Sequence, residues 1–214
     1  MRRPTAEAER LRAVLQRLRH AHPGVRPGLH YRSPWELLVA TVLSAQCTDD
    51  RVNRETPALF ARFPGPQDLA AAQVSEVEGL IRSIGLFRTK ARSLVGLARE
   101  VAERHGGRVP SDRAGLEALP GVGRKTASVV LAQAFGLPAF AVDTHVGRVC
   151  RRLGFASSSD PRAVEEAVTA LLPPGDWVEA HLLLIRHGRV TCTARKPRCP
   201  ACPVRALCPW PDKT

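Results

Sequence analysis

The sequence predicts an all-α fold, on three observations. Apolar residues recur at three- and four-residue spacing along most of the chain, the period of an amphipathic helix. No stretch alternates convincingly between apolar and polar residues, as a half-buried strand would. The periodic segments are about 9–20 residues long and are punctuated by short Gly/Pro breaks, which suits packed helices.

Taken in order, Leu11, Val14, Leu15 and Leu18 fall on one face, so residues 6–20 read as a helix; His22-Pro23-Gly24 and Pro27-Gly28 end it. Ser33-Pro34 reads as an N-cap followed by proline at the first helical position, and this helix is expected to run on to Gln46. Residues 49–63 form the next helix, broken by Pro64-Gly65-Pro66. Two short helices fill residues 67–84, Gly85-Leu86-Phe87 is a loop, and residues 89–105 are a longer helix stopped by Gly106-Gly107. A short helix at 112–118 leads to Leu119-Pro120-Gly121-Val122-Gly123, after which an apolar helix runs to Phe135. Further helices are expected at 144–153, 161–172 and 176–187.

The 214 residues suffice for one large or two small domains with a real core. Net charge is +12 and the pI is about 10.6, which points to an anionic polymer as partner; a plain solvated basic surface is the alternative. Only Lys90, Lys125, Lys196 and Lys213 are lysines, so candidate amines are few. No apolar run approaches the roughly 20 residues of a membrane span. Met1-Arg2-Arg3-Pro4 leads into a charged amphipathic helix and not a signal peptide, so a cytoplasmic, nucleoid-associated protein is expected.

Four of the six cysteines crowd the C-terminus as Cys192-x6-Cys199-x2-Cys202-x5-Cys208. Four thiolates in so short a stretch can close around a soft metal centre in a reducing compartment. Spacing alone leaves zinc and iron–sulfur both open, since four-cysteine sites serve each. Cys47 and Cys150 lie outside the pattern and read as small apolar fillers.

The stretch 119–149 carries the chemistry. Pro120 presets one backbone dihedral, Gly121 and Gly123 permit positive ones, and a glycine turn opening a helix leaves N–H groups that favour a phosphate. An ordinary turn between two helices is the alternative. Lys125 stands at the start of that helix, and Asp143 where the next begins. Asp143 can also be read as an N-cap, and Lys125 as a phosphate-binding lysine.

Leu-Pro-Gly-Val-Gly-Arg-Lys-Thr-Ala resembles the helix-hairpin-helix of DNA glycosylases of the endonuclease III family, and Val142-Asp143-Thr144-His145 resembles that family's catalytic aspartate segment. The 6-2-5 cysteine order, with Ala-Arg-Lys-Pro-Arg-Cys in its first gap, resembles the family's [4Fe–4S] loop. The likeness runs from about Ser33 to Cys208. It implies two helical domains with the active site in the cleft between them: a six-helix barrel at 27–137 containing the hairpin, and a [4Fe–4S] domain built from 1–26 and 138–214. It also implies a monomer.

The implied partner is double-stranded DNA with a damaged base or an abasic site. The implied activity is that of a bifunctional DNA N-glycosylase and abasic-site lyase of base excision repair, removing oxidised pyrimidines. A base stacked in a duplex must be extruded before it can be attacked. Gln46 and Leu86 match the family's gap-filling positions, an amide for the orphaned base and an apolar wedge for the lost stacking; a helix-end glutamine and a core leucine are the plain readings. Lys125 would attack C1′ and form a Schiff base, β-elimination would cut the strand, and Asp143 would stabilise charge building on the sugar. Arg124 and the helix N-terminus would favour the neutral amine. Gly121, Gly123, Arg124 and His145 are expected at the DNA. Cys192, Cys199, Cys202 and Cys208 are the cluster ligands, and the cluster with its thiolates lowers the formal charge only from +12 to about +10. The metal is expected to stiffen the loop so that Arg195, Lys196 and Arg198 meet phosphates; unchanged DNA affinity in a folded iron-free protein would refute this.

One departure from the family stands out. Gly147 occupies a position where family members commonly carry a bulky apolar residue, which points to a looser pocket beside Asp143. Alternatives to the main reading are a glycosylase for pyrimidine dimers or mismatched bases on the same scaffold, a non-catalytic DNA-binding module, and a redox-sensing regulator. Family members specialised for adenine mispaired with oxidised guanine lack the lysine that this chain has at 125.

Overall fold

The computed structural model describes residues 5–211; the reading of Met1-Arg2-Arg3-Pro4 lies outside the described residues. Among them there are eleven α-helices, three short 3-10 turns and no strand. Among the described residues no helix is long and apolar enough to cross a membrane. The chain divides into two compact units, one of Pro27–Leu137 and one of Met1–Arg26 with Pro138–Thr214.

The Pro27–Leu137 unit holds α2 (Pro34–Leu43), α3 (Asp49–Arg62), α4 (Pro66–Ala70), α5 (Val74–Leu80), α6 (Phe87–Arg104), α7 (Arg113–Glu117) and α8 (Arg124–Ala134). The Ser33-Pro34 signal is realised in α2: Ser33 Oγ accepts from Glu36 N–H at 3.2 Å, and the Glu36 carboxylate accepts from Arg32 N–H at 2.7 Å. These contacts satisfy donors that a helix start leaves orphaned. Leu37, Leu38 and Leu43 from α2, Leu59 from α3 and Leu94 and Leu97 from α6 are fully buried. Each such burial contributes about 1.5–3 kcal/mol.

Two boundaries here differ from the sequence reading. The helix expected to reach Gln46 stops at Leu43, because Gln46 turns left-handed at φ +53°. The helix expected from Thr89 starts at Phe87, behind a left-handed Leu86 at φ +60°.

The second unit holds α1 (Ala6–Ala21), α9 (Thr144–Arg152), α10 (Pro161–Thr169) and α11 (Trp177–Val190). Leu11, Val14 and Leu18 of α1 are fully buried in a core shared with Phe140, Val146, Val149, Cys150, Val164, Val168 and Leu184. α10 ends at Thr169, three residues short of the expected end, and α11 continues past His187 to Val190. Arg19 on α1 donates twice to Glu179 on α11, both at 2.7 Å, with side chains 55% and 44% exposed. At that exposure a pair is worth about 0.2–1 kcal/mol, less than one of the buried leucines beneath it.

α9 and α11 pack closely because Gly188 has no side chain. A Cβ there would sit 3.0 Å from His145 Cβ and 3.1 Å from Val149 Cγ2.

Candidate active site and iron–sulfur loop

The hairpin turn is built by Gly121. Its φ is +78°, and an added Cβ would lie 3.1 Å from Ser93 Cβ, so both conformation and space select glycine. Val122 N–H closes the turn on Leu119 O at 3.1 Å. Gly123 then N-caps α8 in an extended conformation, φ −99°, with no side-chain cap. A Cβ added there meets nothing within 4 Å. Arg124 and Lys125 follow as the first two residues of α8, both half-buried, while Ala127, Val130 and Leu131 anchor the helix in the core. The helix thus offers an uncapped, positively polarised end, the arrangement that favours an anion.

Asp143 caps α9: its Oδ1 accepts from Val146 N–H at 2.8 Å. The N-cap reading of this residue therefore holds, and it does not use up the carboxylate, which has about four lone-pair sites. The approach to Asp143 is fixed from α11. His181 is buried, its Nδ1 lies 2.8 Å from Ala141 O, and its ring stands edge-on to Phe140. A carbonyl only accepts, so Nδ1 carries the proton.

His145 Nδ1 lies 3.2 Å from Arg148 Nη2. A guanidinium only donates, so Nδ1 accepts and Nε2 carries the proton, leaving His145 a donor suited to a phosphate. Gly147 meets only Val142 Cγ1 at 3.7 Å, so a small side chain would fit there.

Gln46 and Leu86 share an unusual property. Among the described residues they are the only non-glycine positions with positive φ, +53° and +60°. Such a conformation costs about 1–2 kcal/mol and persists only where the surroundings impose it. Gln46 is exposed and Leu86 is 61% exposed, so the plain reading of Leu86 as a core leucine fails. Lys90, missed by the sequence reading, is 6% exposed and donates from Nζ to Leu43 O at 2.9 Å and Ala45 O at 2.6 Å. Burial pushes its pKa down, yet two carbonyl acceptors need its N–H groups, so it acts as a donor and not as a nucleophile. The one sequence signal was its place beside Ala91 and Leu94 on the apolar face.

The four C-terminal cysteines line one small cavity of about 30 Å³, with Leu153, His187, Val204 and Trp210 among its walls. Four thiolates that share one cavity suit a soft metal centre, and the residues present fit zinc or an iron–sulfur cluster.

Arg152, also missed in the sequence, pins the same loop. It donates to Thr193 O at 2.7 Å and Ala194 O at 2.9 Å, and lies 3.4 Å from Cys192 Sγ. Arg148 adds bonds to Cys192 O at 3.1 Å and Gly188 O at 2.8 Å. Arg195, Lys196 and Arg198 are exposed on this loop. His187 Nε2 lies 3.7 Å from Cys202 Sγ. Burial, with the nearby charge of His22, pushes the His187 pKa down to about 4, so this imidazole stays neutral.

These features define a class: helical proteins with a glycine hairpin opening a lysine-bearing helix, and a four-cysteine loop that suits an iron–sulfur cluster. Residues 39–174 match the HhH-GPD superfamily of base excision DNA repair proteins, and residues 192–208 match the iron–sulfur binding domain of endonuclease III. The chain is 46% identical to endonuclease III of Synechocystis over 210 residues, 98% of this chain and 96% of that one. It is 46% identical to endonuclease III of Escherichia coli over 207 residues, 97% and 98% of the two chains. A trapped endonuclease III–DNA covalent intermediate superposes with TM-score 0.91 at 44% identity, covering 94% of this chain and 95% of that one. A thermostable thymine-DNA glycosylase superposes with TM-score 0.88 at 29% identity, covering 98% and 100%. The chain therefore belongs to the endonuclease III family: it is a base excision DNA repair enzyme, and it carries a [4Fe–4S] cluster.

Proposed function

We propose that this enzyme is a bifunctional DNA glycosylase and abasic-site lyase that removes oxidised pyrimidines from duplex DNA, acting as a monomer on cytoplasmic DNA. The observation that carries this reading is Lys125, an amine in the uncapped first turn of α8 behind a turn that Gly121 dictates. Phosphates settle against the hairpin N–H groups, His145, and Arg195, Lys196 and Arg198. Gln46 and Leu86 fill the space left by the extruded nucleotide, and their strained, exposed conformations support that role.

Lys125 Nζ attacks C1′ as the C1′–N bond to the base breaks, and the departing base takes a proton. Loss of the amine proton and opening of the sugar ring give a Schiff base. That imine acidifies C2′; removal of a C2′ proton expels the 3′ phosphate, which cuts the strand. Asp143 stabilises positive charge on the sugar as the base leaves. Cys192, Cys199, Cys202 and Cys208 would hold the cluster, which when bound would supply a cross-link of the C-terminal loop. The capture of a relative as a covalent intermediate with DNA supports amine chemistry here.

The likeness to a thymine-DNA glycosylase favours a second reading, excision of mismatched bases on the same scaffold. A panel of duplexes tests both. Strand cleavage at thymine glycol, lost in Lys125→Gln, supports the first reading; cleavage confined to a mismatched thymine supports the second. Absence of cleavage on every lesion would leave a DNA-binding module.

A further inference from the structure

We propose that Lys90 is a positioning residue that holds Gln46 and Leu86 in their working conformations and sets them in register with each other. The inference rests on the reading that these two side chains enter the duplex.

Lys90 grips a peptide group next to each of them. Its Nζ donates to Ala45 O at 2.6 Å, the carbonyl of the peptide bond that leads into Gln46. Its backbone N–H donates to Leu86 O at 3.0 Å, the carbonyl of the peptide bond that leaves Leu86. The first bond belongs to the lysine side chain; the second is the ordinary main-chain bond that opens α6, and it places that side chain beside Leu86. A third bond, from Nζ to Leu43 O at 2.9 Å, ties the group to the end of α2, where carbonyls lack helical partners and the helix dipole favours a cation. The two loops also lie close together, since a Cβ built on Gly85 would be 3.8 Å from Gln46 O. Neither left-handed residue has the freedom of glycine, so each needs its neighbours to impose the geometry. A buried cation that satisfies carbonyls from one loop while its own helix starts from the other does so.

The test compares lesion duplex with a single-stranded abasic oligonucleotide, where there is no opposing strand to fill against. Lys90→Met keeps the length and removes the donors. It is expected to lower single-turnover cleavage of the duplex about tenfold, the loss typical of removing charged hydrogen bonds, and to lower borohydride trapping on the single strand by less than about threefold. In a Gln46→Ala/Leu86→Ala background, already slowed on duplex, adding Lys90→Met should cost less than about a further twofold. Equal losses on both substrates, or an undiminished tenfold loss in that background, would overturn the proposal. If Gln46→Ala and Leu86→Ala leave duplex cleavage intact, the gap-filling reading itself falls, a separate outcome. Should Lys90→Met fail to fold, as judged by melting and cluster absorbance, Lys90→Arg carries the same comparison, because its flat fork cannot place one nitrogen against both carbonyls.

Discussion

Two glycines in one turn separate the fold from phosphate binding. Gly121 has φ +78°, which costs an alanine about 1–2 kcal/mol. The added Cβ would also sit 3.1 Å from Ser93 Cβ, closer than ordinary contact, so Ser93 must yield. Gly121→Ala is therefore expected to cost about 2 kcal/mol, which for a chain of this length lowers Tm by about 4–8 °C. Gly123 has φ −99° and open space around an added Cβ. Alanine there loses only the cap preference, about 0.5–1 kcal/mol, or about 1–4 °C. It does, however, add a methyl group at the N-cap of α8, next to the uncapped N–H groups where a phosphate would rest. Melting of the cluster-bearing protein and fluorescence anisotropy with an uncleavable abasic-analogue duplex measure the two effects. Gly121→Ala should give the larger drop in Tm, and Gly123→Ala the larger drop in affinity relative to its Tm change. Equal Tm losses, or unchanged affinity in Gly123→Ala, would refute the reasoning.

Other substitutions probe neighbouring claims. Asp143→Asn preserves the cap on Val146, because Asn and Asp cap equally well, and should abolish most activity with Tm nearly unchanged; Asp143→Ala should also cost about 1 kcal/mol. Gly147→Ala, inside α9 with only Val142 nearby at 3.7 Å, should raise stability by about 0.5–1 kcal/mol in denaturant melts, and a bulkier residue should alter the rates on different lesions. Burial pushes the Cys150 thiol up to about 12, so iodoacetamide at about pH 8 should leave it unlabelled until the protein unfolds. This thiol holds its proton more tightly folded than unfolded, so its contribution to stability is intact below about pH 9 and is lost as pH rises towards 12.

What could be read in the sequence was local. The Ser33 and Asp143 caps, the turn at Gly121 and the helix faces of α1 and α6 each depend on residues a few positions apart. The missing features depend on distant ones. Beyond the end of α2 the chain turns left-handed at Gln46, and the Leu43 carbonyl there is taken up by Lys90, 47 residues away in sequence. The cysteine loop is pinned by Arg152, 40 residues from Cys192. A buried lysine and a loop-binding arginine look in sequence like ordinary surface charges, because nothing nearby marks their acceptors. The left-handed turns at Gln46 and Leu86 were hidden for a related reason, since neither is the glycine that such a turn normally selects. Cysteine spacing serves zinc and iron–sulfur alike; the match of residues 192–208 to an iron–sulfur binding domain is what separates them.

The central claim is that Lys125 forms the covalent bond to the sugar. With four lysines in the chain, the adduct can be assigned to one residue. Borohydride trapping on an abasic duplex, followed by digestion and mass spectrometry, should place the modification on the peptide carrying Lys125. A modification on Lys90, Lys196, Lys213 or the N-terminal amine, or trapping at full yield in Lys125→Gln, would contradict the account.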